Sequence, residues 1–392
     1  MSRSADYTIQ GFLYQFNQTL CELLKAESDD LITIEGIVED IEIATFSGKK
    51  AIQCKYHETK EKYTPSVLYH PLLQMMKHYK SNPTSKIQYL LYVHLPNDPT
   101  VDVTADVLND ALNSKNKNLK ILIAETKGVD VDGFLNVFEP IVTPKFDDLV
   151  EQNTVQLVSH GFHKTEVDTL FYPNSIQIIA DLSIKHDPKQ RTIRKSDFIH
   201  TLLQIKSTAV SHWTLALKTR QKILEARRKQ LKGVLSTNTR LRHIAIFPRF
   251  LDNFDDNVVL FIKSYIDKYH FKISHNKTPL FALDVSQDDL DRIAQRLIEK
   301  NIIPNHGRPV NHFSEDYFFR EPLIQKHRRE FALRIIRWND YKLLGHKTSP
   351  DDLFVIGSGD CPGINARDIN VEVLGAENFD EIEYVMGISN AY

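Results

Sequence analysis

The sequence predicts an α/β (α+β) protein of several domains, and three observations support this. A chain of 392 residues is longer than one hydrophobic core usually organises. Helical and strand patterns alternate in its first and last parts, as expected where helices pack on a sheet. The stretch between these parts is mainly helical. We therefore predict a first domain with a mixed sheet at residues 1–130, a helical connector at 131–240 and a second α/β domain at 241–392.

The composition is that of an ordinary globular protein, with 42% hydrophobic and 26% charged residues. No apolar run approaches the roughly 20 residues that cross a bilayer, so no membrane helix is expected. The first ten residues, MSRSADYTIQ, lack the apolar core of a secretory signal. Cys21, Cys54 and Cys361 are too scattered for a disulfide framework. These features predict a cytoplasmic protein.

Apolar residues at three- and four-residue spacings predict helices, and alternating or continuous apolar runs predict strands. In the first domain these patterns predict helices at residues 7–24, 64–79 and 103–112 and strands at 31–34, 38–45, 50–56, 87–95 and 119–124. Further along, they predict helices at residues 197–206, 210–235, 257–269 and 287–300 and strands at 243–247, 280–284, 331–338, 353–356, 369–374 and 382–386.

Three polar residues on two strands of the first domain form a candidate metal site. Asp40 lies where a strand begins, and the next strand carries Gln53 and Lys55. Side chains alternate along a strand, so Gln53 and Lys55 share one face and Cys54 packs on the other. Phosphodiester hydrolysis needs a cation held by hard oxygen ligands, which Asp40 and the Gln53 amide can supply. Lys55 could stabilise charge on the phosphate or orient the attacking water.

Nearby carboxylates are candidate auxiliary ligands. Glu35, Glu39 and Glu42 all lie close to Asp40 in sequence, and we rank Glu35 first because it stands at the opposite end of the turn before the strand. The alternative is a surface strand pair without chemistry. In that case Lys55 and Glu39 form an exposed ion pair that contributes little to stability.

Three segments resemble the endonuclease domain of bacterial antiphage defence effectors. They are GFLYQ at residues 11–15, IEGIVEDIEI at 34–43 and IQCKY at 52–56. Such PD-(D/E)xK domains occur in CBASS, Avs, Lamassu and HerA-associated systems, and the resemblance covers roughly residues 7–95. It implies a fold like that of restriction endonucleases and DNA cleavage that depends on Mg²⁺ (or Mn²⁺). It also implies the Gln-x-Lys form of the active site, with Asp40, Gln53 and Lys55 at its centre and Gln15 and Glu35 as weaker members.

The same resemblance predicts control by other molecules. No GxxxxGK[ST] phosphate-binding loop occurs in the chain, so a partner P-loop ATPase of the HerA or SMC kind would be a separate subunit. Cutting both strands of DNA is simplest with two symmetric sites, which predicts a homo-oligomer. Two alternatives stay open. The second α/β domain could bind a signalling nucleotide that gates the nuclease, or the nuclease fold could be a degenerate, non-catalytic DNA-binding scaffold.

Charge is unevenly distributed along the chain, although the net charge is only −2. Residues 218–242 are strongly basic, whereas residues 351–392 are acidic. The basic segment predicts contacts with a DNA backbone. Its candidate residues are Lys218, Arg220, Arg227, Arg228 and Lys229. The alternatives are a solvated helix face or an acidic partner. The acidic tail could fold over the basic helix or the active site and imitate DNA, or it could simply be solvated.

Two further segments have simpler interpretations. His160 and His163 have metal-compatible spacing, but no nearby cysteine completes a zinc site, so we predict a helix surface. The glycine-rich residues 357–363 lack the Lys-Ser/Thr ending of a phosphate-binding loop, so we predict a tight turn.

Overall fold

A computed structural model describes most of the chain, and the described residues fall into two compact units, Met1–Lys206 and Ser207–Tyr392. It describes residues 3–35, 40–56, 64–83, 85–95, 100–217, 219–237, 239–273, 277–309, 312–344, 349–358, 369–376 and 378–390. Within these ranges no helix is both long enough and apolar enough to cross a membrane. Helices and sheets occur in both units, which confirms the predicted α/β class.

The first unit combines six strands with helices on either side of them. Its helices are α1 (Arg3–Lys25), α2 (Tyr69–Ser81), α3 (Ala105–Leu112), α4 (Lys120–Thr126), α5 (Val131–Leu135), α6 (Phe146–Ser159), α7 (Lys164–Glu166), α8 (Tyr172–Ser183) and α9 (Lys195–Gln204). Its strands are β1 (Leu31–Ile34), β2 (Ile41–Thr45), β3 (Gly48–Tyr56), β4 (Ile87–His94), β5 (Phe138–Val142) and β6 (Thr192–Arg194).

These strands form one mixed sheet in the order β5-β4-β3-β2-β1-β6. β3, β4 and β5 are parallel, whereas β2 and β1 join the other side of β3 in antiparallel fashion, and β6 is antiparallel to β1. β3 therefore lies where the parallel and antiparallel halves meet. Both candidate strands of the metal site belong to the β2–β3 hairpin at this position.

The two faces of β3 pack against different helices. On one face the ring of Tyr14, from α1, stacks on Tyr56 with 4.4 Å between ring centroids. On the other face Ala51 belongs to a buried cluster that includes Leu72 and Met75 of α2. Because side chains alternate along the strand, Gln53 and Lys55 share the α2 face with Ala51. This alternation separates them from Cys54 as predicted.

The second unit contains a parallel sheet. Its helices are α10 (His212–Leu215), α11 (Arg220–Ser236), α12 (Phe254–Tyr269), α13 (Gln287–Glu299), α14 (Glu315–Phe319), α15 (Trp338–Leu343) and α16 (Phe379–Val385). Its strands are β7 (Arg242–Ile246), β8 (Leu280–Leu283), β9 (Pro304–Asn305), β10 (Ile324–Gln325), β11 (Arg328–Arg329), β12 (Leu333–Arg337), β13 (Asp352–Ile356) and β14 (Asn370–Leu374). Six of them pair in parallel in the order β14-β13-β7-β8-β12-β9, and β10 and β11 form a separate hairpin.

Two predicted strands are wrong, because both segments are helical. Residues 119–124 lie largely in α4, and residues 382–386 lie largely in α16. In α16 the buried side chains of Phe379, Ile382 and Val385 recur at three-residue spacing, and in α4 the partly buried Leu122 and Ile123 lie three or four residues from the buried Leu119 and Thr126. A short aliphatic run does not separate a buried strand from a buried helix face. Conversely, the predictions missed β5 and β6, which extend the first sheet at its two edges.

The structure also divides the chain differently from the prediction. The unit boundary falls at Lys206 and Ser207, inside the predicted connector at 131–240. β5 and the helices up to α9 belong to the first unit, whereas α10 and α11 belong to the second. The predicted helix at 210–235 is interrupted, since α10 ends at Leu215 and α11 begins at Arg220. In the described residues, the connector segment is thus shared between the two units.

Candidate active site

Asp40 lies at the start of the β2–β3 hairpin, directly before β2. In the ladder between these strands Ile41 pairs with Ile52, so the next position brings Asp40 opposite Gln53. The Asp40 Oδ2 atom accepts a hydrogen bond of 2.7 Å from the backbone N–H of Cys54. This bond orients the carboxylate where the backbone ladder stops. The structure thus brings Asp40 and Gln53 together, as strand pairing requires.

The side chain of Gln53 is buried, with only 5% of its surface exposed. Its Nε2 atom donates a hydrogen bond of 3.1 Å to Oε1 of Gln74 on α2. Its Oε1 atom is also buried but has no hydrogen-bond partner among the described residues. A buried polar atom without a partner costs about 1–3 kcal/mol. Such an atom is a candidate ligand for an ion or water.

Lys55 is half-buried two residues further along β3, on the face that Gln53 shares. The ion pairs formed between described residues do not include Lys55. Burial and the charge of Asp40 raise the pKa values of Glu35 and Cys54. The positive charge of Lys55 is close enough to oppose part of this rise. The predicted alternative partner, Glu39, lies outside the described residues. A cation in this position can act on a bound phosphate.

Glu35 directly follows β1 and has an unusual backbone. Its φ angle is 49°, in the left-handed region that glycine adopts easily and other residues adopt rarely. Its N–H donates to the carbonyl of Asp40 at 2.8 Å. Its own carbonyl accepts a hydrogen bond of 2.9 Å from Nη1 of Arg191. Strain of this kind persists where surrounding contacts impose it, and it concentrates at functional sites.

The electrostatics connect Glu35 to the same site. Burial raises the pKa of its carboxyl, and the negative charge of Asp40 raises it further. The positive charges of Arg191 and Lys55 act in the opposite direction. Four charged groups from separate parts of the first unit therefore act on one another around the end of the hairpin.

Cys54 does not supply a nucleophile to this site. Its side chain is 4% exposed, on the strand face opposite Gln53. Burial raises the pKa of the thiol well above its ordinary value, and the nearby Asp40 carboxylate adds to the effect. Such a thiol stays protonated and unreactive at neutral pH. Its contribution is the backbone N–H that holds Asp40.

The oxygen atoms at the hairpin fit a hard divalent cation such as Mg²⁺. Asp40 directly precedes β2 at the position that faces Gln53, whose Oε1 has no partner among the described residues, and Glu35 can add a second carboxylate. Three or more His, Cys, Asp or Glu side chains do not converge anywhere among the described residues. A site in which the Gln53 amide oxygen is one of the ligands needs fewer such side chains.

Gln15 and Glu42 have different surroundings from those of the central residues. Gln15 is half-buried on α1, and no described hydrogen bond joins its side chain to Asp40, Gln53 or Lys55. Glu42 lies near His78 on α2, where its charge raises the pKa of that histidine against the larger effect of burial. Neither residue has a described contact that ties it to the candidate cation.

Sequence reasoning missed two residues that hold the site together. Gln74 contacts the Gln53 amide, and Arg191 binds the carbonyl of Glu35 while its Nε donates to the carbonyl of Lys185 at 2.7 Å. The local signal for Gln74 is a glutamine in the chain between the buried Leu73 and Met75 of α2. Arg191 is far from Glu35 in sequence, and no local pattern marks it.

In the second unit, much of the basic helix α11 is engaged in internal contacts. Arg220 pairs with Glu381, and Arg227 pairs with Glu372. Arg228 donates to the carbonyl of Ser389 at 2.8 Å, with its guanidinium 4.5 Å from the centre of the Tyr384 ring. The acidic tail thus packs against α11.

These contacts change the predicted DNA-binding set. Arg227 is only 3% exposed, so its guanidinium is not accessible to a phosphate and that prediction is corrected. Arg220 and Arg228 are partly engaged, Lys229 is exposed, and Lys218 lies outside the described residues. The charge pattern located a basic helix but did not distinguish solvated cations from paired ones.

The remaining histidine and glycine segments also have defined contacts. Nε2 of His160 lies 3.0 Å from the carbonyl of Leu24, and Nδ1 of His163 lies 2.8 Å from the Thr165 hydroxyl. His160 thus connects α6 to α1, and neither contact is to a metal-binding side chain. Of the predicted turn at 357–363, Gly357 and Ser358 are described and the others are not.

Comparison with known proteins adds distant likenesses only. No protein-family model matches the chain, and no curated protein matches it. A Cap4 SAVED/CARF-domain containing receptor from Acinetobacter baumannii, with the cyclic trinucleotide 3'3'3'-cAAA, is 13% identical, with a TM-score of 0.32 over 69% of this chain and 67% of that one. The corresponding receptor of Moraxella osloensis is 12% identical, with a TM-score of 0.31 over 97% of this chain and 93% of that one. TM-scores this low assign neither a fold nor a function.

Proposed function

We propose that the first unit is a Mg²⁺-dependent deoxyribonuclease, with Mn²⁺ as an alternative cation. The observation that carries this proposal is the buried Oε1 of Gln53, which has no hydrogen-bond partner among the described residues and belongs to the position that faces Asp40. Glu35 completes the ligand set, and Lys55 extends from the same strand face as Gln53. This combination of oxygen ligands and one cationic side chain suits the hydrolysis of a phosphodiester.

Each side chain has a distinct part in the proposed reaction. Asp40, held by the N–H of Cys54, presents a fixed carboxylate to the cation. Lys55 stabilises negative charge that develops on the phosphate in the transition state. A bound divalent cation neutralises the phosphate and lowers the pKa of the attacking water. The surrounding protein keeps Glu35 partly shielded from solvent, so its carboxylate gains from contact with a cation.

The biological setting that we propose is bacterial antiphage defence, in which the enzyme cuts DNA with little sequence preference. This part rests on the resemblance of residues 7–95 to defence endonucleases. A nuclease of this kind endangers its own cell unless it is controlled. We propose control by a separate P-loop ATPase and by oligomerisation, by analogy with related systems.

The test is nicking of supercoiled plasmid DNA by the full-length protein with Mg²⁺. We expect Asp40→Asn and Lys55→Ala each to reduce nicking by about 100- to 1000-fold. Lys50→Ala is the matched control, because Lys50 is an exposed lysine on the same strand. Equal nicking by the wild type and both site variants contradicts the assignment. Binding of DNA without any nicking supports the degenerate scaffold instead.

A second candidate function is gating by a nucleotide in the second unit, and the topology of its sheet favours it. β7 lies at the centre, with β8 on one side and β13 on the other, so the connections reverse direction there. In open parallel sheets, ligands bind beyond the carboxyl ends of strands at such a switch point. Gly357 directly follows β13 with φ of 74°, and a Cβ atom there would lie 2.7 Å from the carbonyl of Phe247. The chain segments that follow β7 and β13 therefore approach closely at this edge.

Gating is tested by adding ATP or a panel of cyclic oligonucleotides without any protein partner. Activation of nicking, or a change in oligomer size measured by light scattering, supports this second function. Nuclease activity that requires a partner protein and ignores every nucleotide contradicts it. The same assay, with a purified partner ATPase added, tests the first form of control.

A further inference from the structure

Gln74 is the side chain that contacts the amide of Gln53. It projects from α2, between the buried Leu73 and Met75, and its Oε1 accepts the hydrogen bond from Nε2 of Gln53 at 3.1 Å. We propose that Gln74 is a positioning residue, which turns the Gln53 amide so that its oxygen faces the cation. This inference rests on the proposed function, because it concerns the same metal site.

The geometry of an amide explains how one contact can set this orientation. A glutamine side chain carries an acceptor oxygen and a donor NH₂ group on opposite sides of the same planar carbon. When the NH₂ group of Gln53 points at the acceptor Oε1 of Gln74, the oxygen of Gln53 must point away from α2. That oxygen is the atom that is buried without a partner in the described residues.

This requirement comes from the presence of glutamine at position 53. A carboxylate offers two equivalent oxygens, so either rotamer of its terminal group presents a ligand to the cation. An amide presents a ligand in one orientation and an N–H donor in the other, and a donor cannot bind Mg²⁺. Outer partners that fix the orientation of a ligand typically change metal affinity by about 10- to 100-fold. We therefore expect Gln74 to affect Mg²⁺ affinity strongly when residue 53 is glutamine and only weakly when residue 53 is glutamate.

The experiment measures Mg²⁺ binding to the full-length protein without DNA, by isothermal titration calorimetry. Four proteins form a cycle: wild type, Gln74→Met, Gln53→Glu, and the double variant of both changes. We expect Gln74→Met to weaken Mg²⁺ binding about tenfold or more in the wild type. In the Gln53→Glu protein we expect the same change to alter binding by about twofold or less. Gln88→Met, an exposed glutamine on β4, is the matched control.

The possible results separate this inference from the proposed function. Absence of Mg²⁺ binding by the wild type overturns both. Binding that Gln74→Met leaves unchanged overturns this inference alone. An equal loss in both backgrounds also overturns it, because it shows that position 74 acts through packing of α2. If Gln74→Met does not fold, Gln74→Asn replaces it, because it keeps the amide but shortens its reach, and the same outcomes apply.

Discussion

The β2–β3 hairpin of the first unit and helix α11 of the second both carry polar residues that the sequence marks as functional, but the structure uses them differently. In the hairpin, Gln53 has a buried oxygen without a partner among the described residues. In α11, Arg227 is equally buried and its Nε atom also has no partner among the described residues, but its guanidinium is paired with the Glu372 carboxylate. The difference is therefore one of surroundings rather than of burial. The charge of Arg227 is neutralised within the fold, whereas the free oxygen of Gln53 faces the carboxylate position of Asp40, where a cation can bind both.

Backbone geometry supports the same contrast. Beside the hairpin, Glu35 has a strained left-handed conformation, and its pKa is raised by burial and by Asp40. In the second unit, Glu372 is also bonded by Asn370 Nδ2 at 3.1 Å, so its carboxylate contacts both an amide and a guanidinium. We therefore expect substitutions in the hairpin to affect activity, and substitutions in the network around α11 to affect stability. The following predictions test this division in order of decreasing effect.

The largest effect is expected for Arg227→Met. It leaves Glu372 buried without its ion-pair partner, which should lower the free energy of unfolding of the second unit by about 3–5 kcal/mol. The chain has 2 tryptophans, Trp213 and Trp338, and both belong to this unit. Urea denaturation followed by tryptophan fluorescence therefore measures the effect. Basal Mg²⁺-dependent nicking by the folded protein should not change.

Two further variants control this prediction. Lys229→Met removes an exposed cation from the same helix and should change the free energy of unfolding by about 0.5 kcal/mol or less. The double change Arg227→Met and Glu372→Leu replaces the ion pair by apolar side chains and should recover most of the loss. A loss under about 1 kcal/mol for Arg227→Met alone would show that the pair contributes little.

The next effect is expected for Gln53→Met, which has nearly the same shape but no ligand oxygen. Mg²⁺-dependent nicking should fall about 100-fold, which corresponds to about 2.7 kcal/mol in the activation free energy. The free energy of unfolding should stay within about 1 kcal/mol of the wild type, because the variant removes an unsatisfied atom together with one hydrogen bond. Plasmid nicking and urea denaturation by circular dichroism measure the two quantities. Retained activity, or severe destabilisation, would show that Gln53 has a structural role, as Arg227 does.

A moderate pH effect is expected in the second unit from His243. Burial, and to a lesser extent the charge of Arg334, lowers its pKa to about 3, and its Nδ1 lies 2.9 Å from the Tyr341 hydroxyl. The unfolded chain binds a proton below the ordinary histidine pKa of 6.5, whereas the folded chain does not. Stability is therefore present above pH 6.5 and is lost as the pH falls toward 3. Between pH 6.5 and 5 we expect a loss of about 1–2 kcal/mol.

Tryptophan fluorescence during urea denaturation at several pH values measures this slope. His243→Gln cannot be protonated and should flatten it, whatever its effect on stability at pH 7. His327→Gln is the matched control, because His327 is an exposed histidine of the same unit. A slope that persists unchanged in His243→Gln would assign the acid sensitivity to other groups, including the paired carboxylates near α11.

The contrast between the two regions also explains which parts the sequence could predict. Strand alternation and pairing placed Asp40, Gln53 and Lys55 at one end of a hairpin, because both follow from local periodicity. Gln74 and Arg191 come from other elements, and only tertiary packing brings them to Gln53 and Glu35. For the same reason the sequence showed that residues 218–242 are basic but not that Arg227 pairs with Glu372. Residues 119–124 were mistaken for a strand because a short aliphatic run fits either structure.

The smallest effect is expected from relief of backbone strain at Glu35. Its φ of 49° is easily adopted by glycine but costs other residues about 1–2 kcal/mol. Glu35→Ala keeps this strain and removes the carboxylate, whereas Glu35→Gly removes both. Both variants should bind Mg²⁺ more weakly, but the glycine variant should be about 1 kcal/mol more stable than the alanine variant. The relevant measurement is the urea transition that circular dichroism detects and tryptophan fluorescence does not, because both tryptophans lie in the second unit. If glycine is no more stable than alanine, the strain at Glu35 does not distinguish the two regions, and the contrast rests on Gln53 alone.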